Sequence, residues 1–244
     1  MILRQFLHTD PVAISYLFGC GGKACGAVVD PAGDVRLYLD AARATGMNIL
    51  YVIDTHIHAD HLSAGRSLAE AAGAEYVLFA EAEVRSPFRA VRDGDVLPLG
   101  NVSVEVLHTP GHTPEHVCLL VTDRTRAEEP WLVLTGHTLM VGDVGRTELA
   151  TNAEEGARIL FRSLKRLKTL PDYVEVLPGA YSGSVCGRGL SGKPASTIGF
   201  EKRHNLALRI AYEEAFVNSM LADIPPLPPQ ARELRASNAG WSVS

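Results

Sequence analysis

Apolar residues along the first half of the chain alternate with polar ones or run unbroken in short bursts, the spacing of strands rather than helices. The segments ILRQFL, VAISYLFG, GAVVD, NILYVIDT, EYVLF, DVLPLG, VSVEVLHT, VCLLVTD, WLVLTG and YVEVLPG are each predicted to be extended. Helical spacing appears at 35–45, ending at Gly46, at 63–73, closed by Gly73, and at 153–168. A fourth helical stretch is predicted over 197–222, closing a domain of residues 1–222, with a Pro-rich tail at 223–244. The tail reads as a linker stub or as a strap docked on the surface. Two series of strands, each ending in a helix, suggest an α/β protein of the αββα kind, with two mixed sheets and helices outside. Periodicity alone leaves other α/β layouts open.

Composition narrows the class. The chain has 244 residues, 46% hydrophobic and 21% charged, enough to bury a sizeable core. A formal net charge of −5 argues against nucleic acid or an anionic membrane as the main partner. No apolar run reaches the length needed to span a bilayer, and the N-terminus lacks the pattern of a secretion signal. The expected location is the cytoplasm. The four cysteines, Cys20, Cys25, Cys118 and Cys186, have no zinc-ribbon or redox spacing and are expected to be free thiols. Cys186 lies in a Gly-rich loop and is the one expected to border a site.

The strongest chemical signal is the segment THIHADH at 55–61, directly after a predicted buried strand. Neutral imidazoles and a carboxylate are metal donors, and such a cluster is rarely a packing solution. His56 and His58 alternate, so an extended backbone can point both to one side. Asp60 and His61 follow on the turn. The second signal is HTPGHTPEH at 108–116. Pro110 and Gly111 force a tight turn that presents His112 as a ligand, while His108 and His116 are expected to hydrogen bond the loop or support the ligands from outside.

These two motifs in combination resemble the metallo-β-lactamase superfamily. The resemblance implies an αββα sandwich with the metal site at the edge between the two sheets. Segments 55–65, 108–116, 142–149 and 183–205 resemble the persulfide dioxygenase branch, in particular bacterial forms fused to rhodanese domains, and the expectation is a form of that branch without the rhodanese domain. That branch oxidises glutathione persulfide with O₂ to sulfite and glutathione at a single Fe(II). Its ligands are the first His of H-x-H, the His of T-P-G-H and an Asp in T-G-D. They map onto His56, His112 and His137, so a histidine stands where the carboxylate belongs. The superfamily's second metal position uses Asp60, His61 and a His that maps onto Ala180, and so loses a donor.

Three outcomes follow from these departures. In the first, His56, His112 and His137 form a three-histidine site for Fe(II) or Zn(II). Alternatively His56, His58 and His112 bind one Zn(II), making a thioester or lactone hydrolase with Asp60 and His61 as catalytic groups. In the third, the chain is a non-catalytic protein that binds thiols or persulfides. One metal per chain is expected, Fe(II) first and Zn(II) as the alternative. The expected partner is a small glutathione-like thiol or persulfide, held by Arg146, Tyr181, Cys186 and Arg188. Lys202, Arg203 and Asn205 form a further anion patch, and a homodimer built through the tail is a further expectation.

Overall fold

The computed structural model describes residues 1–150, 152–222, 224 and 226–241. Along the chain, β1 (Ile2–Thr9), β2 (Val12–Cys20) and β3 (Cys25–Val29) lead into α1 (Val35–Thr45), β4 (Asn48–Ile53), α2 (Gly65–Ala72), β5 (Glu75–Phe79) and β6 (Arg89–Val91). These six strands form one mixed sheet in chain order. The second half runs β7 (Val96–Leu99), β8 (Val102–His108), β9 (Val117–Asp123), β10 (Leu132–Gly136), the short pair β11 (Leu139–Met140) and β12 (Asp143–Val144), α3 (Ala153–Leu167), β13 (Glu175–Pro178) and β14 (Ser196–Thr197). The second six-stranded sheet has the order β14-β13-β10-β9-β8-β7.

Period-two alternation decides which layer each side chain enters. On β2, Ile14, Tyr16 and Phe18 join residues of β8, β9 and β10 in a core between the sheets. Leu17 points the other way and packs with α1 and α2 residues such as Tyr38 and Leu68. On the second sheet, Cys118 and Leu120 of β9 face outward against Leu160 and Leu164 of α3. The layering is therefore helix, sheet, sheet, helix. The helix signals act as expected. Asp34 caps α1 by accepting from the Arg36 N–H, and Gly46 ends it in the left-handed conformation.

Two stretches differ from the expectation. Residues 197–222 form not one helix but three, α4 (Ile198–His204), α5 (Leu206–Arg209) and α6 (Glu213–Ala222). Asn205 causes the first break. Its side-chain oxygen accepts from the N–H groups of Ala207 and Leu208 and starts a new helix, so a polar cap competes successfully with continued periodicity. The tail, in turn, contains an eight-residue helix, α7 (Ala231–Asn238). It docks on its own chain, with Ala231 and Ala239 buried. No helix among the described residues is long and apolar enough to cross a membrane.

Candidate metal centre

The site lies where four strands end at one rim of the sandwich. β4 delivers Thr55 to His61, β8 delivers the turn 109–116, β10 delivers His137, and β13 delivers Ala180. The chain approaches itself closely here. At Gly136, with φ of 48°, an added Cβ would lie 2.6 Å from His116 Nε2 and 2.6 Å from Thr55 Oγ1. At Gly145 it would lie 2.2 Å from the His137 carbonyl oxygen and 3.0 Å from His112 Nδ1. Only glycine fits such contacts.

His56, His112 and His137 each aim one ring nitrogen at a common point, within 4.8 Å of one another. All three are at most 1% exposed. Hydrogen bonds on the far sides of two rings settle which nitrogen is available. Thr55 Oγ1 donates to Asp30 Oδ2 at 2.9 Å, so the Nδ1–H of His56, also 2.9 Å away, donates to Thr55 and leaves Nε2 with its lone pair. His112 Nδ1 donates to the Arg146 carbonyl oxygen at 2.7 Å, which likewise frees Nε2. That Nε2 faces His137 Nδ1 at 3.3 Å. His56 Nε2 and His137 Nε2 have no hydrogen-bond partner among the described residues. Buried polar nitrogens are ordinarily satisfied, so these unpartnered atoms fit a bound cation. Burial holds all three rings toward the neutral form, helped by the neighbouring imidazoles. The His112 pKa falls to about 3 and that of His137 to about 4, while that of His56 is lowered well below its usual value. Protons therefore compete little with a metal for these lone pairs.

His58 does not turn toward that point. Its Nε2 meets Asp30 Oδ1 at 3.1 Å, and its Nδ1 lies 3.5 Å from Asp60 Oδ1. Burial would keep this ring neutral, but Asp30 and then Asp60 outweigh it and raise the pKa well above normal. His58 thus falls into groupings with Asp60 and His61 and with Asp30 and Asp54. The Asp60 side chain is 4% exposed and its pKa is pushed well down. Burial alone would raise it, and the neighbouring histidines, His61 first, with hydrogen bonds from His58 and His61, prevail. Oδ1 faces His61 Nδ1 at 3.1 Å and Oδ2 faces His137 Nε2 at 3.9 Å.

His116 supports rather than joins the cluster, since its Nε2 accepts from the His137 N–H at 3.0 Å. His108 reaches the Pro114 carbonyl and stacks on Phe79. Ala180 is buried and brings no donor.

The substrate-side candidates have mostly internal partners. Arg146 is 3% exposed and pairs with Glu148, and it donates to the carbonyls of Val185 and Pro226. Arg188 donates to the Ser219 and Met220 carbonyls. Tyr181 donates to the His8 carbonyl and packs on the inter-sheet core. Cys186 alone reaches the donors, in a group with Asp60 and His137, and burial pushes its thiol well up. Lys202 pairs with Asp172, and Asn205 caps α5.

Sequence reasoning passed over Asp30, Glu115, Arg235 and Asn238. Glu115 accepts from the Ile57 N–H and pairs with Arg235, which also donates to the Ile57 carbonyl. Asn238 donates to the carbonyls of His58 and His61. Helix α7 therefore clamps the histidine loop. Glu115 was legible as the acidic residue inside the second motif, whereas nothing in the tail's composition marks Arg235 or Asn238.

The metallo-beta-lactamase superfamily profile matches residues 13–179. A metallo-beta-lactamase structure from Staphylococcus aureus subsp. aureus COL superposes with a TM-score of 0.93 at 33% identity, over 98% of this chain and 72% of that one. A hydroxyacylglutathione hydrolase from Polaromonas sp. is 32% identical over 68% of this chain and 60% of its own. The mitochondrial persulfide dioxygenase of Bos taurus is 26% identical over 90% of this chain and 80% of its own.

Proposed function

We propose that this chain, which belongs to the metallo-beta-lactamase superfamily, oxygenates a glutathione-type persulfide at one iron ion held by His56, His112 and His137. The overall change joins one persulfide, one O₂ and one water, and yields the thiol, sulfite and two protons. The sulfane sulfur loses the four electrons that O₂ gains. The observation that carries this reading is the convergence of three buried, neutral imidazoles whose ring nitrogens face a shared point. When bound, Fe(II) supplies a centre with open positions at which sulfur and O₂ can react.

The protein's own groups do the rest. Thr55 and the Arg146 carbonyl hold two rings in the ligating tautomer. Burial of the ring cluster keeps bulk water away from reactive sulfur. A set of neutral ligands leaves the ion's full positive charge for an anionic persulfide, where an aspartate at position 137 would have cancelled part of it. The likeness to proteins named persulfide dioxygenase and hydroxyacylglutathione hydrolase supports a glutathione-type substrate.

A second reading is a zinc hydrolase for thioesters, favoured by the Asp60 carboxylate, whose Oδ2 faces the cluster 3.9 Å from His137 Nε2. It would serve as base or water positioner, with zinc lowering the pKa of bound water. The experiment is O₂ uptake by iron-loaded protein given glutathione persulfide, run beside thioester hydrolysis by zinc-loaded protein. O₂ uptake with sulfite release supports the first reading. No uptake, with thioester cleavage, replaces it by the second. The variant H137D, which restores a carboxylate, is expected to change the rate of uptake while leaving iron bound.

A further inference from the structure

We infer that Cys20 and Cys25 form a dithiol site that a low-molecular-weight S–S compound, a disulfide or persulfide of the glutathione type, oxidises to an intramolecular disulfide. Their spacing of five residues carries no redox signature, and the fold supplies what the spacing lacks. Strands β2 and β3 pair antiparallel in unbroken register, from Tyr16 opposite Val29 to Cys20 opposite Cys25. Opposite residues of such a pair have Cα atoms about 4.5 or 5.5 Å apart, inside the span of roughly 4.4–6.8 Å that a disulfide bridges. They also point to one face of the sheet, and both cysteines pack on the core between the sheets. Neither is in a disulfide in this structure.

The connection holds the pair in place. A 3-10 turn at Gly21–Lys23 is closed by Ala24, which takes a left-handed φ of 52° and donates its N–H to the Gly21 carbonyl. That conformation is uncommon for alanine, and it is supported from outside the hairpin, since the Ala24 carbonyl accepts from the Asn48 N–H at 2.9 Å. The hairpin tip also sits against the turn between β7 and β8. A Cβ added at Gly100, with φ of 66°, would lie 2.7 Å from Lys23 Cβ and 3.2 Å from Cys20 Cβ. The two sulfurs differ in access. Cys20 is 5% exposed, whereas Cys25 is half-buried and its S–H donates to the carbonyl of exposed Lys23 at 3.1 Å. Cys25 is therefore the sulfur that an incoming compound reaches, and Cys20 the one that completes the exchange. Cys25 pairs with Asn48 at the start of β4, whose far end carries the histidine loop. The dithiol thus lies a strand's length from the metal cluster.

The exchange balances without a cofactor. The Cys25 thiolate attacks the S–S bond of glutathione disulfide, expels one glutathione thiolate and forms a mixed disulfide. Cys20, losing its proton, attacks the Cys25 sulfur and expels the second glutathione. The two cysteines give up two electrons and two protons, and two glutathione thiols leave. With glutathione persulfide, Cys25 attacks the outer sulfur and expels glutathione. Cys20 then attacks the Cys25 sulfur and expels hydrosulfide. The products are the protein disulfide, one glutathione and one hydrogen sulfide.

The test uses the reduced full chain under nitrogen and does not depend on the reaction proposed above. After incubation with glutathione disulfide, thiols counted in denaturant are expected to fall from four to two. Trypsin cleaves after Lys23, between the two cysteines, so their peptides are expected to stay joined until a reductant is added. C20S and C20A are expected to keep glutathione on Cys25, because no second thiol completes the exchange. C25S is expected to react at least about tenfold more slowly, through buried Cys20. In a second arm, glutathione persulfide is expected to release about one hydrogen sulfide per chain from the natural protein and none from C25S. Joined peptides in one arm alone identify which of the two compounds serves. The absence of joined peptides in both arms overturns the proposal, and so does glutathione that stays on Cys25 of the natural protein while Cys20 remains a thiol.

Discussion

Replacing Arg235 with alanine is expected to destabilise the protein far more than an ordinary surface substitution. Glu115 has a side chain only 4% exposed, and Arg235 covers it with a side chain 23% exposed. Nη1 and Nη2 each meet one carboxylate oxygen at 3.1 Å, and Nη1 also reaches the Ile57 carbonyl at 2.7 Å. Removing one partner of a fully buried pair costs about 3–5 kcal/mol because a charge is left uncompensated. Partial exposure of the arginine lets water replace some of the interaction, which lowers the expectation to about 2–4 kcal/mol. For a chain of this length that is a fall in Tm of roughly 4–16 °C. Thermal unfolding of R235A, E115A and the double variant measures it. Because the two residues touch, their costs are expected to be strongly non-additive, with the double variant close to the worse single one. Since Ile57 lies between His56 and His58, R235A is also expected to weaken metal binding. A loss under about 1 kcal/mol, or costs that simply add, would refute the reasoning and reduce α7 to a loosely docked appendage.

Other changes test the site itself. T55V removes the acceptor that fixes the His56 tautomer, and metal affinity, measured by chelator competition, is expected to fall about 10–100-fold. G145A drives a methyl group into the His137 carbonyl and the His112 ring. It is expected to lose metal and to cost about 1–3 kcal/mol, read by metal analysis and unfolding. In metal-free protein, His112 and His137 have pKa values near 3 and 4, depressed by burial, against about 6.5 when unfolded. The unfolded chain therefore binds more protons in this window, and stability falls as pH drops below about 6.5, by about 1.4 kcal/mol per unit for each ring. His58 acts in the opposite sense. Its pKa is raised, so its contribution is full below about 6.5 and fades as pH rises toward its folded value. Tm of metal-free protein is thus expected to climb between pH 5 and 6.5 and then level or decline, and a Tm that falls from pH 5 to 6.5 contradicts the assigned protonation states.

The layers and the donor loops were legible because each depends on local spacing. Alternation on β2 separates Tyr16 from Leu17, and a two-sheet core follows from many such strands. The segments 55–61 and 108–116 name donors because imidazole and carboxylate clusters have few other uses. Spacing could not say that His58 turns away. That depends on Asp30, held 28 residues upstream with φ of 48°, whose carboxylate competes with a metal for the ring. Nor could it show the break at Asn205, where one side-chain cap outcompetes helical periodicity.

The same distinction explains why His137 carries more consequence than its conservative appearance suggests. A carboxylate at this position would offer two equivalent oxygens, each able to serve a different ion at once. An imidazole offers two nitrogens of which one is protonated, so donation becomes a choice. The surroundings sharpen that choice, because His112 faces Nδ1, Asp60 faces Nε2, and the His116 ring pins the backbone between them. Gly136 and Gly145 let the backbone come this close, since a methyl group at Gly136 would collide with Thr55 and His116, and one at Gly145 with the His137 carbonyl and His112. Changing one ligand type in a rigid frame is therefore expected to alter how a metal is held here, and it does so without removing the donor at this position.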